Sequence, residues 1–340
     1  MDRRSFAKKM ALAVPALAGA PIIPDAERLL PRRLQPGDTI GLITPGSYID
    51  DEGLQKAVDN LIRLGFRPKM ARNLRAERGF NAGTDQQRLD DLHAMFSDDS
   101  VAGIWCARGG YGCSRLLPGI DYDLIRNNPK ALIGYSDVTA LLNAVYHKTG
   151  LVGFHGPVGA SELTEYTEAQ FRAVVMEGRA PYSIPLSTEN LQKEDPAYQV
   201  YTVHGGKARG ILVGGNLSLL SAMAGTEYLP ASEGKLAFIE DVGERPYRVD
   251  RMLTQLRQAW GLGQVSGIAL GIFEDCQPDE GERSLSLKET IMDRIQGLGI
   301  PAIYGLSFGH IANQCTLPIG IKAELDVEQQ RLTLLEAAVR

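Results

Sequence analysis

The stretch Lys130–Leu141 (KALIGYSDVTAL) decides how the N-terminal half of this chain folds. Its apolar run ends at Gly134, a single serine follows at Ser136, and apolar residues then recur at helical spacing. This order predicts a buried strand, a sharp turn and an amphipathic helix. A serine on such a turn has the layout of a nucleophile elbow, which lifts the hydroxyl out of the fold.

The same strand–helix unit recurs on both sides of that stretch. Upstream, a strand is predicted in 38–44 (DTIGLIT) and a helix in Asp50–Leu64, and Thr84 with Gln87 forms a capping box that opens a helix to Phe96. A buried strand follows in 101–107 (VAGIWCA). Alternating strands and helices predict an α/β domain with a parallel sheet covered on both faces, of the flavodoxin or amidotransferase type.

The second half has a different pattern. Residues 179–197 combine three prolines with many polar groups and no periodicity, which is typical of a linker. We therefore predict an N-terminal domain over 34–178, a linker over 179–197 and a C-terminal domain over 198–340. Short β-like runs, two helical segments and a final strand pair in 321–336 make the predicted C-terminal domain mixed α/β and rich in β.

Residues 1–20 have the features of a twin-arginine export signal, with Arg3 and Arg4 followed by lysines, an apolar run and small residues. The apolar run Met10–Ala20 is about half as long as the roughly 20 residues that span a bilayer, so no stable membrane anchor is expected. We predict cleavage after Ala20 and a periplasmic location.

Composition and charge narrow the function classes. The 340 residues are 44% hydrophobic and 23% charged, as expected for a soluble chain with room for two domains. The formal net charge is −5, and removing residues 1–20, which carry +3, leaves −8. Because an acidic surface repels phosphates, no nucleic-acid partner is expected.

The cysteines and histidines lack the spacing of a metal site. None of the four cysteines forms a C-x-x-C motif, and no H-x-x-x-H motif occurs, so neither a metal nor any other cofactor is predicted. Cys106 ends an apolar run and is expected to be inert core. Folding should not depend on disulfides, because the twin-arginine route carries proteins already folded in a reducing cytoplasm.

A nucleophilic serine needs a base and an acid that orients it. Of the five histidines, His310 is favoured because it follows an apolar run ending at Gly309, and His155 is retained as a less ordinary histidine. The favoured acid is Glu240, which ends the apolar run KLAFIE, with Asp241 as its nearest competitor.

Each of these residues also has a structural interpretation. Ser136 is well placed as a helix N-cap, and Val138 stands where G-x-S-x-G requires a glycine. Glu240 is also the charge expected where a strand reaches solvent. The glycine turn in 106–112 (CARGGYG) offers amides for an oxyanion hole, but it matches neither nucleotide-binding glycine motif.

Six blocks in this order resemble the LD-carboxypeptidase family of serine peptidases, which also includes the microcin C self-immunity proteins. They are RGGYG (108–112), IGYSD (133–137), FHGP (154–157), GGNLSLL (214–220), FIEDVGERPYRVDRML (238–253) and FGH (308–310). The resemblance covers about Leu34–Leu335. It implies a triad of Ser136, Glu240 and His310 at the domain interface, and metal-free cleavage before the terminal D-amino acid of a murein peptide.

Under this reading, the amides of Gly110 and Asp137 hold the oxyanion, and Arg108 binds the substrate carboxylate or pairs with a structural one. Asn216 is a further candidate contact to substrate. The alternatives are hydrolysis of a peptidyl or aminoacyl nucleotide, and a periplasmic module that binds peptides without cutting them. A homodimer is one option for the assembly.

Overall fold

The computed structural model describes residues 27–340, and the predicted export signal lies outside this range. Within it the chain forms two β-sheets with helices between the strands, which confirms the predicted α/β class. No helix in 27–340 is long and apolar enough to cross a bilayer. The buried apolar side chains of both halves form one large continuous core.

The first sheet carries the predicted parallel arrangement. Five of its strands come from the N-terminal half and run parallel, and the last is an antiparallel edge strand from the C-terminal half. In spatial order the strands are β12 (Leu317–Ile319), β5 (Gly153–His155), β4 (Ala131–Gly134), β3 (Gly103–Cys106), β1 (Thr39–Ile43) and β2 (Arg67–Met70). Every residue of β3 and β4 is buried, so both faces of the sheet are covered there.

The second sheet is mixed, as predicted for the C-terminal half. Its four central strands are parallel, and antiparallel strands flank that centre on both sides. In spatial order the strands are β6 (Tyr182–Ile184), β14 (Arg331–Leu334), β13 (Lys322–Asp326), β8 (Lys207–Asn216), β9 (Lys235–Glu240), β10 (Gly267–Leu270), β11 (Ala302–Tyr304) and β7 (Tyr201–His204).

The helices follow the predicted periodicity, and the first two begin at the predicted caps. Thr84 and Gln87 form the capping box, and Asp50 accepts the Gly53 amide at the start of the first helix. The helices are α1 (Asp51–Arg63), α2 (Asp85–Ser97), α3 (Tyr122–Asn127), α4 (Thr139–Thr149), α5 (Glu165–Phe171), α6 (Thr188–Leu191), α7 (Leu217–Met223), α8 (Pro246–Gln255) and α9 (Leu287–Ile295).

The segment 179–197 contains more regular structure than its composition indicates. It holds β6, which pairs with β14 at the edge of the second sheet, and the short helix α6. Its polar side chains are used inside the fold, since the amide of Asn190 donates to the carbonyl of Asn313. Local sequence does not reveal such pairing, because the partners lie more than a hundred residues away.

Helix α4 joins the two halves next to the serine turn. The Thr139 hydroxyl accepts a hydrogen bond from the backbone N–H of Asn216 at 3.0 Å. The Asn143 side chain donates to the Gly214 carbonyl at 2.9 Å. Gly215 makes this approach possible, because a Cβ there would lie 2.5 Å from the Thr139 hydroxyl. Gly215 of the GGN block thus lets strand β8 dock directly on the helix that follows Ser136.

All four cysteines are buried and free. Burial raises the pKa of each thiol, to about 12 for Cys276 and Cys315 and further for Cys106 and Cys113. A buried thiol that does not ionise is a poor nucleophile. Cys106 and Cys113 are therefore core residues, although they flank the glycine turn.

Candidate active site

Ser136 lies on a strained turn directly after β4. Its backbone φ is 61°, in the left-handed region that non-glycine residues rarely adopt. Its side chain does not cap a helix: a short 3-10 turn begins at Ser136 with no side-chain cap, and α4 begins only at Thr139. Such strain is typical of a functional turn, so the structure favours the elbow over the N-cap.

The hydroxyl of Ser136 contacts the imidazole of His310, which lies near the C-terminal end of the chain. Ser136 Oγ lies 2.9 Å from His310 Nε2, although 174 residues separate the two. The apolar run before His310 ends at Gly309, but strand β11 already ends at Tyr304, so the strand is shorter than the run. Gly309 instead forms a single bridge with Ile272, which holds the loop that carries the imidazole.

The acid that faces this histidine is Glu240, the last residue of β9. Its Oε2 lies 2.7 Å from His310 Nδ1, and its side chain is 0% exposed. Asp241 points elsewhere and accepts hydrogen bonds from Asn216 Nδ2, from the Ser218 amide and hydroxyl, and from its neighbour's amide at Val242. The geometry therefore places Glu240, the acid that the sequence favours, against His310 and turns its competitor Asp241 away from it.

The charges of His310 and Glu240 stabilise each other, whereas the charges of Glu240 and Asp241 oppose each other. Burial disfavours a charged His310, but the Glu240 charge, its hydrogen bond and the Asp241 charge outweigh burial and raise the pKa of His310. Burial likewise opposes ionisation of Glu240, but His310, with smaller contributions from His155 and Asn216, outweighs burial, so the pKa of Glu240 is lowered. Burial and the Glu240 charge raise the pKa of Asp241 to about 6.

The glycine turn after β3 packs against the serine. A Cβ on Gly109 would lie 3.2 Å from Ser136 Cβ and 3.5 Å from the Asp137 amide nitrogen, so a larger residue would crowd the site. The Asp137 carboxylate accepts the Cys113 amide at 2.9 Å and ties the two turns together. Within residues 27–340, the amides of Gly110 and Asp137 donate no hydrogen bond.

Arg108 lines a cavity of about 370 Å³ beside the serine turn, together with Ile49, Asp50, Tyr135 and Ser161. Its guanidinium donates to the Tyr48 carbonyl at 3.0 Å. The other predicted role for Arg108, an ion pair with a protein carboxylate, does not occur among residues 27–340. The side chain is exposed and keeps free donors toward the cavity.

Asn216 was a candidate contact to substrate, but its side chain faces the interior of the protein. It is buried, its Oδ1 caps α7 by accepting the Leu219 amide, and its Nδ2 donates to Asp241. These bonds use the amide within the protein and hold the end of β8 beside Glu240. The geometry favours a supporting role, and the signal for it was the N-cap pattern in Asn-Leu-Ser-Leu.

The described residues contain no cluster of side chains that could bind a metal ion. Within residues 27–340, no three His, Cys, Asp or Glu side chains lie close enough together to hold a metal ion. The site itself brings together a hydroxyl, an imidazole and a carboxylate in a hydrogen-bonded chain. This arrangement suits nucleophilic attack with general acid–base assistance.

Family models match both halves of the chain. Residues 40–156 match the LD-carboxypeptidase N-terminal domain, and residues 209–325 match the LD-carboxypeptidase C-terminal domain. The chain belongs to the LD-carboxypeptidase family. It is a serine-type carboxypeptidase, as the sequence predicted.

Individual proteins similar to this LD-carboxypeptidase support its assignment to the family. A probable murein peptide carboxypeptidase of Bacillus subtilis is 40% identical over 91% of this chain and 95% of its own length. The murein tetrapeptide carboxypeptidase of Pseudomonas aeruginosa is 36% identical over 86% of this chain and 94% of its own. The structure of the microcin C7 self-immunity protein superposes with a TM-score of 0.81, at 27% identity, over 92% of this chain and all of that one.

If His310 is the catalytic base, the pH dependence of this LD-carboxypeptidase follows from the His310–Glu240 pair. A base must be neutral to accept a proton, and the pKa of His310 is raised above its usual value near 6.5. We expect kcat/KM to rise with pH through an acid limb centred above pH 6.5. Initial rates between pH 5 and about 9 at low substrate concentration test this, and a limb below pH 6 would contradict it.

Proposed function

We propose that this enzyme hydrolyses the bond between the L-configured centre and the terminal D-alanine of murein tetrapeptide stems. The observation that carries the proposal is the hydrogen-bonded chain from Ser136 Oγ through His310 to Glu240. The murein peptide carboxypeptidases among its relatives support the substrate class. In this proposal Ser136, His310 and Glu240 act as nucleophile, base and orienting acid.

The reaction then proceeds in two halves. Ser136 Oγ attacks the peptide carbonyl while His310 Nε2 accepts its proton, and Glu240 holds the proton on Nδ1 so that Nε2 is free. The amides of Gly110 and Asp137 donate to the oxyanion. His310 passes its proton to the D-alanine nitrogen as the C–N bond breaks, and water, activated by His310, then releases the tripeptide from Ser136.

The free carboxylate of D-alanine needs a cation, and Arg108 is the one that lines the cavity beside the serine turn. Replacing Arg108 by alanine is expected to lower kcat/KM by roughly 10- to 100-fold, because hydrogen bonds to charged groups contribute about 1.5–3 kcal/mol. For a substrate that ends in D-alanine amide, the same substitution should lower kcat/KM much less, because this substrate has no terminal negative charge for Arg108 to bind.

Arg209→Ala is the matched control for this prediction. Arg209 pairs with Glu324 on the surface, seven residues before Asn216 on an extended strand and so roughly 23 Å away from the site. It should leave both substrates unaffected. Equal losses for the acid and the amide substrate in the Arg108 variant would show that Arg108 does not bind the carboxylate.

The direct test is release of D-alanine from a purified murein tetrapeptide, compared with a tetrapeptide whose last residue is L-alanine. We expect turnover of the first only, together with formation of the tripeptide. Activity should survive EDTA, because the proposed steps use protein groups alone. No cleavage of the D-alanine substrate by well-folded enzyme would reject the proposal.

A second candidate is hydrolysis of an aminoacyl or peptidyl nucleotide, which likeness to the microcin C7 self-immunity protein favours. Such a substrate needs an aromatic surface for its base. Trp105 and Trp260 do not offer one, because both are buried and donate their indole N–H to backbone carbonyls. Phe80 and Tyr111 form an exposed pair, with ring centres 5.2 Å apart, close to the glycine turn. Faster cleavage of an aminoacyl sulfamoyl adenosine than of the tetrapeptide would favour this candidate.

We also propose that the enzyme acts in the periplasm after export by the twin-arginine route. The paired arginines and the short apolar run of residues 1–20 support this. Cell fractionation with an Arg3→Lys, Arg4→Lys variant tests it. We expect the wild-type protein in the periplasmic fraction and the variant retained in the cytoplasm, whereas an unchanged distribution would contradict the proposal.

A further inference from the structure

His155 is a buried histidine for which the proposed reaction has no use so far. It ends strand β5 and is 1% exposed, yet neither ring nitrogen has a hydrogen-bond partner among residues 27–340. Leaving such groups unpaired in the interior is costly, and native proteins rarely do so. An interior histidine with two unpaired nitrogens therefore calls for a functional explanation.

Its surroundings place it directly behind the reacting groups. The His155 ring packs edge-on against Tyr135 and Phe238, with ring centres 6.0 Å and 5.2 Å away. The Tyr135 ring lies 4.8 Å from that of His310. Phe238 precedes Glu240 by two residues on β9, so both side chains share one face of the strand.

The acid in this region has an unpaired oxygen of matching chemistry. Glu240 Oε2 is bonded to His310, whereas Oε1 is buried and makes no hydrogen bond to a described residue, although the neighbouring Asn216 side chain also lowers the pKa of Glu240. Thr316 Oγ1, which borders the Gly156 position next to His155, is equally unpaired. Burial lowers the pKa of His155 to about 4, so the ring is neutral at physiological pH and carries one N–H donor.

We propose that His155 is a positioning residue that donates to Glu240 Oε1 through one buried water molecule. Interior waters typically join two to four otherwise unpaired polar groups, and this region presents the required donor and acceptors. With both carboxylate oxygens held, Oε2 stays on His310 Nδ1 and Nε2 stays free for Ser136. The role rests on the proposed peptidase function, but the contact itself does not.

The consequence is a specific effect on the titration of His310. The titratable groups around the Glu240–His310 pair are Asp241, Tyr135, His155 and Cys276. Of these, only His155 is proposed to orient Oε1. If its donor is removed, the carboxylate is free to turn from His310, so the imidazolium loses stabilisation and the pKa of His310 falls.

The test compares His155→Leu, which has no donor, with His155→Asn and His155→Gln, which keep an amide N–H. We expect the leucine variant to lower kcat about tenfold or more, which is the loss of a hydrogen bond to a charged group, with KM unchanged. Its acid limb, and the His310 ring titration followed by NMR, should move to lower pH. At least one amide variant should recover both. His93→Leu, at a half-buried histidine elsewhere, should leave the His310 titration unchanged.

Either of two results would overturn the proposal: a His310 titration that is the same in wild type, leucine and amide variants, or a crystal structure with no ordered water between His155 and Glu240 Oε1. The NMR titration and the crystal structure need no substrate. Failure of the wild type to release D-alanine would therefore reject the proposed function alone and still leave the His155 contact decided by these measurements.

Discussion

Replacing Ser136 by alanine is expected to lower kcat for D-alanine release by a factor on the order of 10⁴ to 10⁶ while the protein stays folded. The hydroxyl is the only part of the side chain that the substitution removes, and it lies 2.9 Å from His310 Nε2. Without it no acyl-enzyme forms, and only the oxyanion donors and substrate binding remain. Product release measured by chromatography over long incubations gives the rate.

A melting curve recorded alongside separates the nucleophile from a helix cap. Loss of an N-cap costs about 0.5–2 kcal/mol, but Ser136 caps no helix, so the alanine variant should melt close to wild type. Ser136→Gly is the matched control. It should be equally inactive and melt no earlier than the alanine variant, since glycine adopts a φ of 61° without strain. Near-normal turnover with early melting would mean that the serine is structural.

Replacing Glu240 by glutamine is expected to lower kcat by about 10⁴, as for the orienting acid of other serine triads. The amide is nearly isosteric but neutral, so it holds the proton on His310 Nδ1 poorly and does not stabilise the imidazolium. Because the Glu240 charge raises the pKa of His310, its loss should also move any residual acid limb to lower pH. Full kcat/KM–pH profiles of both enzymes test the two effects together.

Asp241→Asn distinguishes the two neighbouring acids. Asp241 binds Asn216 and Ser218 and makes no hydrogen bond to His310, so its loss should reduce activity far less than the loss of Glu240. The double variant Ser136→Ala, Glu240→Gln should be scarcely slower than Ser136→Ala alone, because the members of a triad act as a unit. Multiplicative losses would show that Glu240 acts independently of the serine.

Much of this protein was predictable from local sequence. The alternation of buried runs and amphipathic helices predicted the α/β fold, and Thr84 with Gln87 predicted the start of α2. One pattern predicts both Ser136 after a strand and Glu240 at a strand end: an apolar run that ends in a polar residue marks where a chain leaves the core. Such signals are local because they depend on the order of neighbouring residues.

Other features depended on how distant segments meet. Ser136 and His310 are 174 residues apart, and Glu240 rather than Asp241 faces the imidazole because of where β9 ends relative to the His310 loop. Asn216 has a structural role inside the protein because β8 packs on α4. Hydrogen bonds require groups to lie within about 3 Å, and only the packed arrangement of the two halves determines which side chains come that close. The sequence determined the elements and the residue types at their ends, and the tertiary structure decided which of those ends form one site.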